Sequence, residues 1–411
     1  MTDFMRWRSY GMEIIFALLI YYSIYATSIY FEPVVAASPI DPNYLLLVVV
    51  GIYTVWHVAT RPIRRQTVAA ITLFGAFAVY YALTILWSSS TAYADWKALR
   101  LVTVISLLFV GCALYFGGRR DRLPRFYLVA LVFGGLVTID TLYTLAILGY
   151  GNSPYLDVNY ILSSRPIGVG IILAAYFLVT TDRRVVRAVL AGSVFVMVVA
   201  MFQTGARGPL VALVGALVVF AGWLYLQLDI SVSRSQLVAA AASSIVGFGV
   251  LVVTAGTTIE RMLRLFRWDE EVSGAARVDL FTSAVRYWLD QPLICHVIGS
   301  FPVLYSGEDE RYYPHNVVLE VGVEAGLVGV VLFVAFSAWC LWVALNADTD
   351  PVLVGTTVSL YLYLLANAMI TGDISTNRML FASTALLLVV DSSAPVRVTE
   401  TAGRLRTRLA Q

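Results

Sequence analysis

The sequence predicts an all-α integral membrane protein with about twelve transmembrane helices and a partly helical external loop. Composition, hydropathy and the placement of charge lead to this prediction. Of the 411 residues, 59% are hydrophobic and only 13% are charged. The mean hydropathy is +0.80. This balance is typical of membrane proteins and argues against a soluble globular protein.

Apolar runs long enough to cross roughly 30 Å of hydrocarbon recur from end to end of the chain. No short cleavable leader precedes the first run, so we expect that run to be a span. Some runs are short or interrupted, which leaves about eleven or thirteen spans as alternatives. The predicted spans are 10–30, 43–60, 66–87, 98–117, 126–148, 166–181, 188–204, 209–228, 237–256, 315–345, 352–371 and 379–391.

Basic residues cluster in alternate gaps between these spans. The positive-inside rule predicts that those gaps and both termini face the cytoplasm. The net charge is only +2, and no basic patch is interleaved with aromatic residues, so we expect no nucleic-acid partner. The basic gaps hold Arg6 and Arg8, 61–65, 117–125, 182–187, Arg234 and 397–408.

The chain reads as a single transmembrane domain, 1–411, with one exceptional gap. Residues 257–314 form an external loop between spans nine and ten that is too long for a simple connector. Apolar residues at helical spacing predict a helix within 274–293. The segment 257–268 is amphipathic and basic, as is typical of a helix on the bilayer surface. We expect this loop subdomain to carry part of a functional site.

His315 follows Pro314, a residue that favours the first turn of a helix. We therefore expect His315 at a helix N-terminus, where the dipole disfavours the cationic imidazole. A neutral imidazole is suited to general-base catalysis. On this helix we expect a glycine face of Gly322, Gly326 and Gly329 beneath the histidine. The alternative is an interfacial polar residue without a catalytic role.

Glu320 and Glu324 lie one turn apart on the same predicted helix. Carboxylates are costly inside a membrane unless they are paired. We interpret them as partners in ion pairs that support the histidine's helix, together with Asn316. Direct catalysis by either glutamate is the alternative.

Several arginines depart from the charge rule because they fall on the predicted outer side, among them Arg100 and Arg165 at outer span ends. Three of them are candidate site residues. They are Arg207 in a tight turn between two spans, Arg277 at the start of the loop helix, and Arg378. Each alone could be a snorkelling anchor. Together with one histidine they predict an anion site, because guanidinium groups bind phosphate oxygens in a bidentate manner. A lipid diphosphate fits such a site, and neutralising it makes it a better leaving group.

We expect neither a metal nor another cofactor. The acidic segment 307–311 reads as a solvated loop, and the three cysteines occupy unrelated places. Phosphate-binding glycine loops, nucleophile elbows and zinc spacings are also missing from the sequence.

Three segments resemble the superfamily of O-antigen ligases and O-antigen polymerases, which are polytopic membrane glycosyltransferases. The segments are the "ARG" turn at 206–208, the loop "AARVDLFTSAVRYWLDQPLICHVIGSF", and "PHNVVLEVGVEAGLVG" from Pro314. The resemblance covers about 190–375 by motif and the whole chain by layout. A serine is frequent in the family where Ala206 stands.

This resemblance implies a metal-independent, inverting transfer of a glycan from a polyprenyl (undecaprenyl) diphosphate carrier to an acceptor sugar hydroxyl. It implies that Arg207 and Arg277 bind the donor diphosphate and that His315 is the general base. The partners would be the lipid-linked donor, a glycan or glycolipid acceptor, and membrane lipids. The location would be the cytoplasmic (inner) membrane, with the site facing the periplasm or cell exterior.

Three alternatives remain open. Ligase and polymerase share this layout, and transfer to protein by an O-linked oligosaccharyltransferase is a further variant. A transporter or lipid flippase would place polar groups and broken helices near the bilayer midplane, often in two related halves. A purely structural scaffold would leave the displaced arginines unexplained.

Overall fold

The computed structural model describes residues 10–26, 32–148, 154–228, 272–293 and 296–396. The predicted span 237–256, the segment 257–268 and Arg234 lie outside them. The α-helices are α1 Gly11–Tyr25, α2 Glu32–Ala37, α3 Pro42–Thr60, α4 Arg65–Leu83, α5 Ala92–Arg100, α6 Ser106–Phe116, α7 Leu123–Leu148, α8 Pro154–Thr180, α9 Arg184–Gln203, α10 Arg207–Gln227, α11 Val272–Asp290, α12 Ser300–Ser306, α13 Val317–Leu345, α14 Pro351–Ala368 and α15 Arg378–Leu386. The strands are β1 Ile63–Arg64 and β2 Pro395–Val396.

The described part of the chain contains 9 helices that are long and apolar enough to cross a membrane. Two shorter apolar helices, Gly11–Tyr22 and Arg378–Val390, also match predicted runs. The helical fold class and the integral membrane character are confirmed. The total of twelve spans stays a prediction, because one predicted span lies outside the described residues. Helices suit this setting because lipid offers no partners for backbone N–H and C=O groups.

Aromatic rings pack the centre of the bundle between helices that are distant in sequence. The ring centroid of Phe74 lies 4.4 Å from that of Phe109 and 5.5 Å from that of Phe336. Phe381 stacks on Phe336 at 6.1 Å. These side chains are buried, whereas many Val, Leu and Ile side chains on the outer surfaces of the spans are exposed. Such an apolar exterior fits lipid rather than water.

One end of the bundle, which we name the clip end, is closed by the two short strands. Ile63 pairs with Val396 and Arg64 with Pro395 in an antiparallel arrangement. Beside them, Asp391 accepts hydrogen bonds from the backbone N–H of Thr67 at 2.9 Å and from its hydroxyl at 2.8 Å. These contacts join the start of α4 to the chain that follows α15.

The opposite end, the histidine end, carries the segments 272–293 and 296–316, and we call them the external segments after the sequence prediction for 257–314. The helix α11 packs on α13 through a small apolar cluster that includes Leu280, Ala284 and Val323. Gly322 makes this approach possible, since a Cβ there would lie 2.6 Å from the indole of Trp288. The glycine therefore seats the external helix against α13.

The helix α13 is broken at Gly326, whose φ of 60° lies in the left-handed region. The sequence predicts a continuous glycine face here, and that prediction is wrong at this residue. The break frees polar backbone groups that need partners in a membrane. The external segment supplies them, because Leu327 N donates to Pro292 O at 2.8 Å and His296 N donates to Val323 O at 3.1 Å. This segment therefore descends roughly 9 to 15 Å along α13.

Candidate functional site

His315 lies immediately before α13 rather than within its first turn. Asn316 is the N-cap, and its side-chain oxygen accepts hydrogen bonds from Val318 N and Leu319 N, both at 3.0 Å. The expectation that Pro314 and His315 form the first turn is therefore wrong. An asparagine oxygen can satisfy two helix-end N–H groups, which a proline at that position cannot do. The predicted placement of a glycine face directly beneath His315 also fails.

The backbone of His315 is left-handed, with φ of 57°. This conformation is uncommon for a residue other than glycine, and it persists where the surroundings impose it. Strained positions of this kind cluster at functional sites. The ring of Tyr313 lies 4.6 Å from the imidazole, measured between centroids.

The imidazole of His315 is held in its neutral form. Burial, and secondarily the positive charge of Arg277, lower its pKa to about 4. At neutral pH the ring therefore has a free base nitrogen, as the sequence predicts, although for a different main reason than the helix dipole. Its Nδ1 atom is buried and has no hydrogen-bond partner among the described residues.

Arg277 lies in α11 at the histidine end and is half-buried. Its charge acts on His315, so the fold brings these two residues, far apart in sequence, into one electrostatic environment. The remaining described part of the external loop holds this arrangement by packing α11 on α13.

Arg207 is the first residue of α10 and is half-buried at the same end of the bundle. The turn before it uses Gly205 in the left-handed conformation, with φ of 67°. The turn lies against the segment after α14, since a Cβ on Gly208 would come 2.1 Å from Ile370. That segment leads directly to Asp373. The role of Arg207 in donor binding stays a prediction.

Arg378 occupies a different environment from His315. It is buried at 3% exposure, and its guanidinium donates to Leu19 O at 2.9 Å and to Asn43 Oδ1 at 2.8 Å. The same group lies 5.6 Å from the ring centre of Tyr22. Arg378 thus ties α15 to α1 and α3, and its predicted role as a diphosphate ligand stays a prediction.

Glu320 and Glu324 are both fully buried and share Lys97 as an ion-pair partner. The Lys97 Nζ lies 2.6 Å from Glu324 Oε2, and Tyr81 donates its hydroxyl to that oxygen, also at 2.6 Å. Both glutamates are therefore members of ion pairs, and their predicted role in supporting the histidine's helix stays a prediction. Lys97 is absent from the predicted site. Its signal in the sequence is that the chain has no other lysine and places this one at the start of an apolar helix.

Asp373 and Arg311 form a second pair that sequence reasoning misses. The Arg311 side chain donates to Asp373 Oδ2 from its terminal nitrogen at 3.0 Å and from Nε at 3.3 Å. Asp373 is fully buried, and this guanidinium helps to hold the pKa of its carboxyl below the ordinary value despite burial. The guanidinium also lies 5.2 Å from the ring centre of Trp96. Its cationic group therefore sits between an acid and an aromatic face.

The acidic segment 307–311 is more than the solvated loop that the sequence predicts. Asp309 accepts hydrogen bonds from the Ser90 hydroxyl at 2.6 Å and from Thr91 N at 2.8 Å and Ala92 N at 2.9 Å. The Ser90 bond, followed by those backbone bonds, lowers the pKa of Asp309 to about 2. An anion at this place satisfies the N-terminus of α5 and anchors the loop to it.

Within the described ranges, no three His, Cys, Asp or Glu side chains are grouped so that they could hold a metal ion. The arrangement instead offers a neutral imidazole, a neighbouring guanidinium and a second arginine at the same end. This combination can deprotonate a hydroxyl and stabilise an anionic leaving group.

Residues 192–334 match the family model described as O-antigen ligase. The match includes Arg207, Arg277 and His315, and it confirms the resemblance to the ligase and polymerase superfamily. The match supports a glycan-transferring role. No curated protein matches the chain.

Proposed function

We propose that this protein, which is similar to the O-antigen ligase family over residues 192–334, transfers a glycan from a polyprenyl diphosphate carrier to an acceptor sugar hydroxyl at the histidine end. The observation that carries the proposal is a half-buried His315 whose pKa is lowered by burial and by the charge of Arg277, with both residues inside the family match. A base and a permanent cation in one environment are what displacement of a diphosphate requires.

In the proposed reaction, His315 takes the proton from the acceptor hydroxyl. The acceptor oxygen forms a bond to the anomeric carbon while the bond from that carbon to the diphosphate oxygen breaks. The electron pair leaves with the diphosphate, whose added charge Arg277 and Arg207 stabilise without a metal ion. Attack from the face opposite the leaving group inverts the anomeric centre.

We place the site on the outer face of the cytoplasmic membrane. Support comes from the basic segment 61–65, which contains strand β1 and therefore lies at the clip end. The positive-inside rule then puts the histidine end outside. Labelling of single cysteines introduced at Arg286 and Arg61 with an impermeant reagent on intact cells tests this. Only the cysteine at 286 should react, and labelling at 61 alone would reverse the orientation.

The test of function uses purified full-length protein in lipid nanodiscs with lipid-linked repeat units, supplied alone and with candidate acceptors. Chain extension from the donor alone identifies a polymerase. A glycan joined to an added lipid or protein acceptor identifies a ligase or a protein-directed transferase.

Arg277 variants probe the donor site in the same assay. Arg277→Ala should weaken donor binding by about 10-fold or more, because a hydrogen bond to a charged group contributes about 1.5–3 kcal/mol. Lysine should restore binding only in part, since it keeps the charge and loses the planar fork. The matched control is Arg286→Ala, an exposed arginine on the same helix. Equal donor affinity in Arg277→Ala and the control contradicts the assignment.

A lipid transporter or flippase is the second candidate, because the break at Gly326 resembles the discontinuous helices that line transport sites. Movement of lipid-linked glycan across vesicles without any transfer product would favour it.

A further inference from the structure

Two ion pairs bracket His315 along the chain, and we name them together the bracket. Before the histidine, Arg311 pairs with Asp373 at 3.0 Å. After it, Glu320 pairs with Lys97. The short segment between Arg311 and Glu320 therefore has a charged anchor on each side of the proposed base.

Both anchors meet at neighbouring residues of one turn. Asp373 accepts from Arg311, and the backbone N–H of Ile374 donates to Glu320 Oε2 at 3.0 Å. The turn itself is held by Ser375, which donates to Asp373 Oδ1 from its backbone at 2.9 Å and from its hydroxyl at 2.6 Å. The two sides of His315 are thus fixed to a common support.

Lys97 completes the bracket from α5. Its ammonium contacts both Glu320 and Glu324, and the three side chains are fully buried. In such surroundings an ion pair that loses one member leaves a buried charge, so the geometry resists displacement. The histidine end is thereby connected through side chains to α5, α13 and the 373–375 turn.

The bracket provides a physical reason for the backbone of His315. A histidine with φ of 57° stays in that conformation only if neighbouring contacts determine it more strongly than its own preference. Asn316, the residue after His315, is fixed by its capping hydrogen bonds. The two ion pairs of the bracket hold the chain at points farther from the histidine, at Arg311 and Glu320. The position of the imidazole then depends on groups that do not touch it.

We propose that Lys97 and Arg311 are positioning residues that hold His315 in place for the transfer reaction. This inference rests on the proposed function for its catalytic consequence. Its structural part, the fixed placement of the imidazole, stands apart from that function and is measured separately.

The experiment uses full-length protein in nanodiscs and two measurements. Diethyl pyrocarbonate labelling at residue 315, followed by mass spectrometry, reports access to the imidazole. Steady-state transfer gives kcat and KM.

Arg311→Met breaks the first pair. Glu320→Gln breaks the second while leaving one lysine opposite one glutamate, so it should fold. Arg286→Met is the control, an exposed arginine in α11.

In both bracket variants, His315 should label faster than in the control, and kcat should fall by about 10- to 100-fold because a small misplacement of a catalytic group is costly. KM should change by less than about twofold, since the bracket does not bind substrate. Arg311→Lys should have a higher kcat than Arg311→Met, and its His315 should label more slowly, because lysine retains one charged contact to Asp373. Arg311 is half-exposed, so we expect the protein to tolerate Arg311→Lys. This variant therefore still tests the inference if Arg311→Met fails to fold.

Unchanged labelling and kcat in Arg311→Met and Glu320→Gln overturn the inference. A rise in KM alone, with labelling as in the control, also overturns it, because Arg311 would then be a substrate ligand. Full transfer by His315→Ala rejects the proposed function, whereas the labelling rates still decide whether the bracket places the imidazole.

Discussion

The two ends of the helix bundle are held together by different chemistry. The clip end uses strand pairing and hydrogen bonds to one carboxylate, as in the contacts from Thr67 to Asp391. The histidine end uses buried ion pairs, including Lys97 with two glutamates. It also contains a left-handed histidine and a broken helix.

We interpret the clip end as a structural closure of the bundle and the histidine end as the candidate functional site. The clip end joins chain segments through the strand pair and through hydrogen bonds to one buried carboxylate, that of Asp391. Buried charges and a strained histidine cost stability, and natural proteins retain such features chiefly where function requires them. Mutations at both ends should therefore lower stability, whereas only mutations at the histidine end should also lower the rate of transfer.

The largest expected loss of stability follows Lys97→Met. It leaves Glu320 and Glu324 buried without their shared cation. Breaking a buried ion pair in this way costs about 3–5 kcal/mol. Denaturant unfolding in mixed micelles should show that loss. Restored stability in Lys97→Met with Glu320→Gln and Glu324→Gln would identify the uncompensated charge as the cause. A stable single variant would contradict the role given to these pairs.

A smaller loss of stability should follow Asp391→Ala at the clip end. The change removes the acceptor of the Thr67 N–H and hydroxyl, and leaving such buried donors unsatisfied costs about 1–3 kcal/mol. Unfolding should become easier while kcat of the folded fraction stays as in the unaltered protein. A specific loss of kcat would show that the two ends are coupled, and the comparison would then fail.

The smallest expected effect is that of mild acid on transfer. The pKa of His315 is lowered to about 4, so its base form persists from neutral pH down to near that value and is lost as the pH falls through it. Since kcat/KM reports the free enzyme, it should change little between about pH 7 and pH 5. The stability of the fold should also decrease as the pH falls from about 6.5 towards 4, because the unfolded histidine binds a proton before the folded one does. A decline centred near the ordinary histidine value, about 6.5, would indicate an exposed imidazole.

Local sequence patterns were sufficient for most helices and for part of the site. Apolar runs locate the described spans, and the sequence singles out both His315 and Arg277, whose positive charge helps to lower the pKa of that imidazole. Local patterns do not predict which residues form ion pairs with partners that are distant in the sequence. Nothing near Lys97 in sequence indicates Glu320 as its partner. The sequence around Arg311 predicts a solvated acidic loop and gives no sign of the ion pair with Asp373.

Sequence periodicity also does not predict the break in α13 or the left-handed backbone of His315. An apolar run with regularly spaced glycines predicts an unbroken helix, yet α13 breaks at Gly326 because an external segment supplies partners for the freed groups. The left-handed His315 likewise results from tertiary contacts that propensity does not encode.

The most direct measurement of the central claim is the transfer rate of purified, folded His315→Ala with lipid-linked glycan. Loss of a general base should lower kcat by about 10²- to 10⁴-fold. His296→Ala, the other histidine described in the external segment, should keep its rate and serves as the matched control. A His315→Ala rate equal to that of the control would contradict the account.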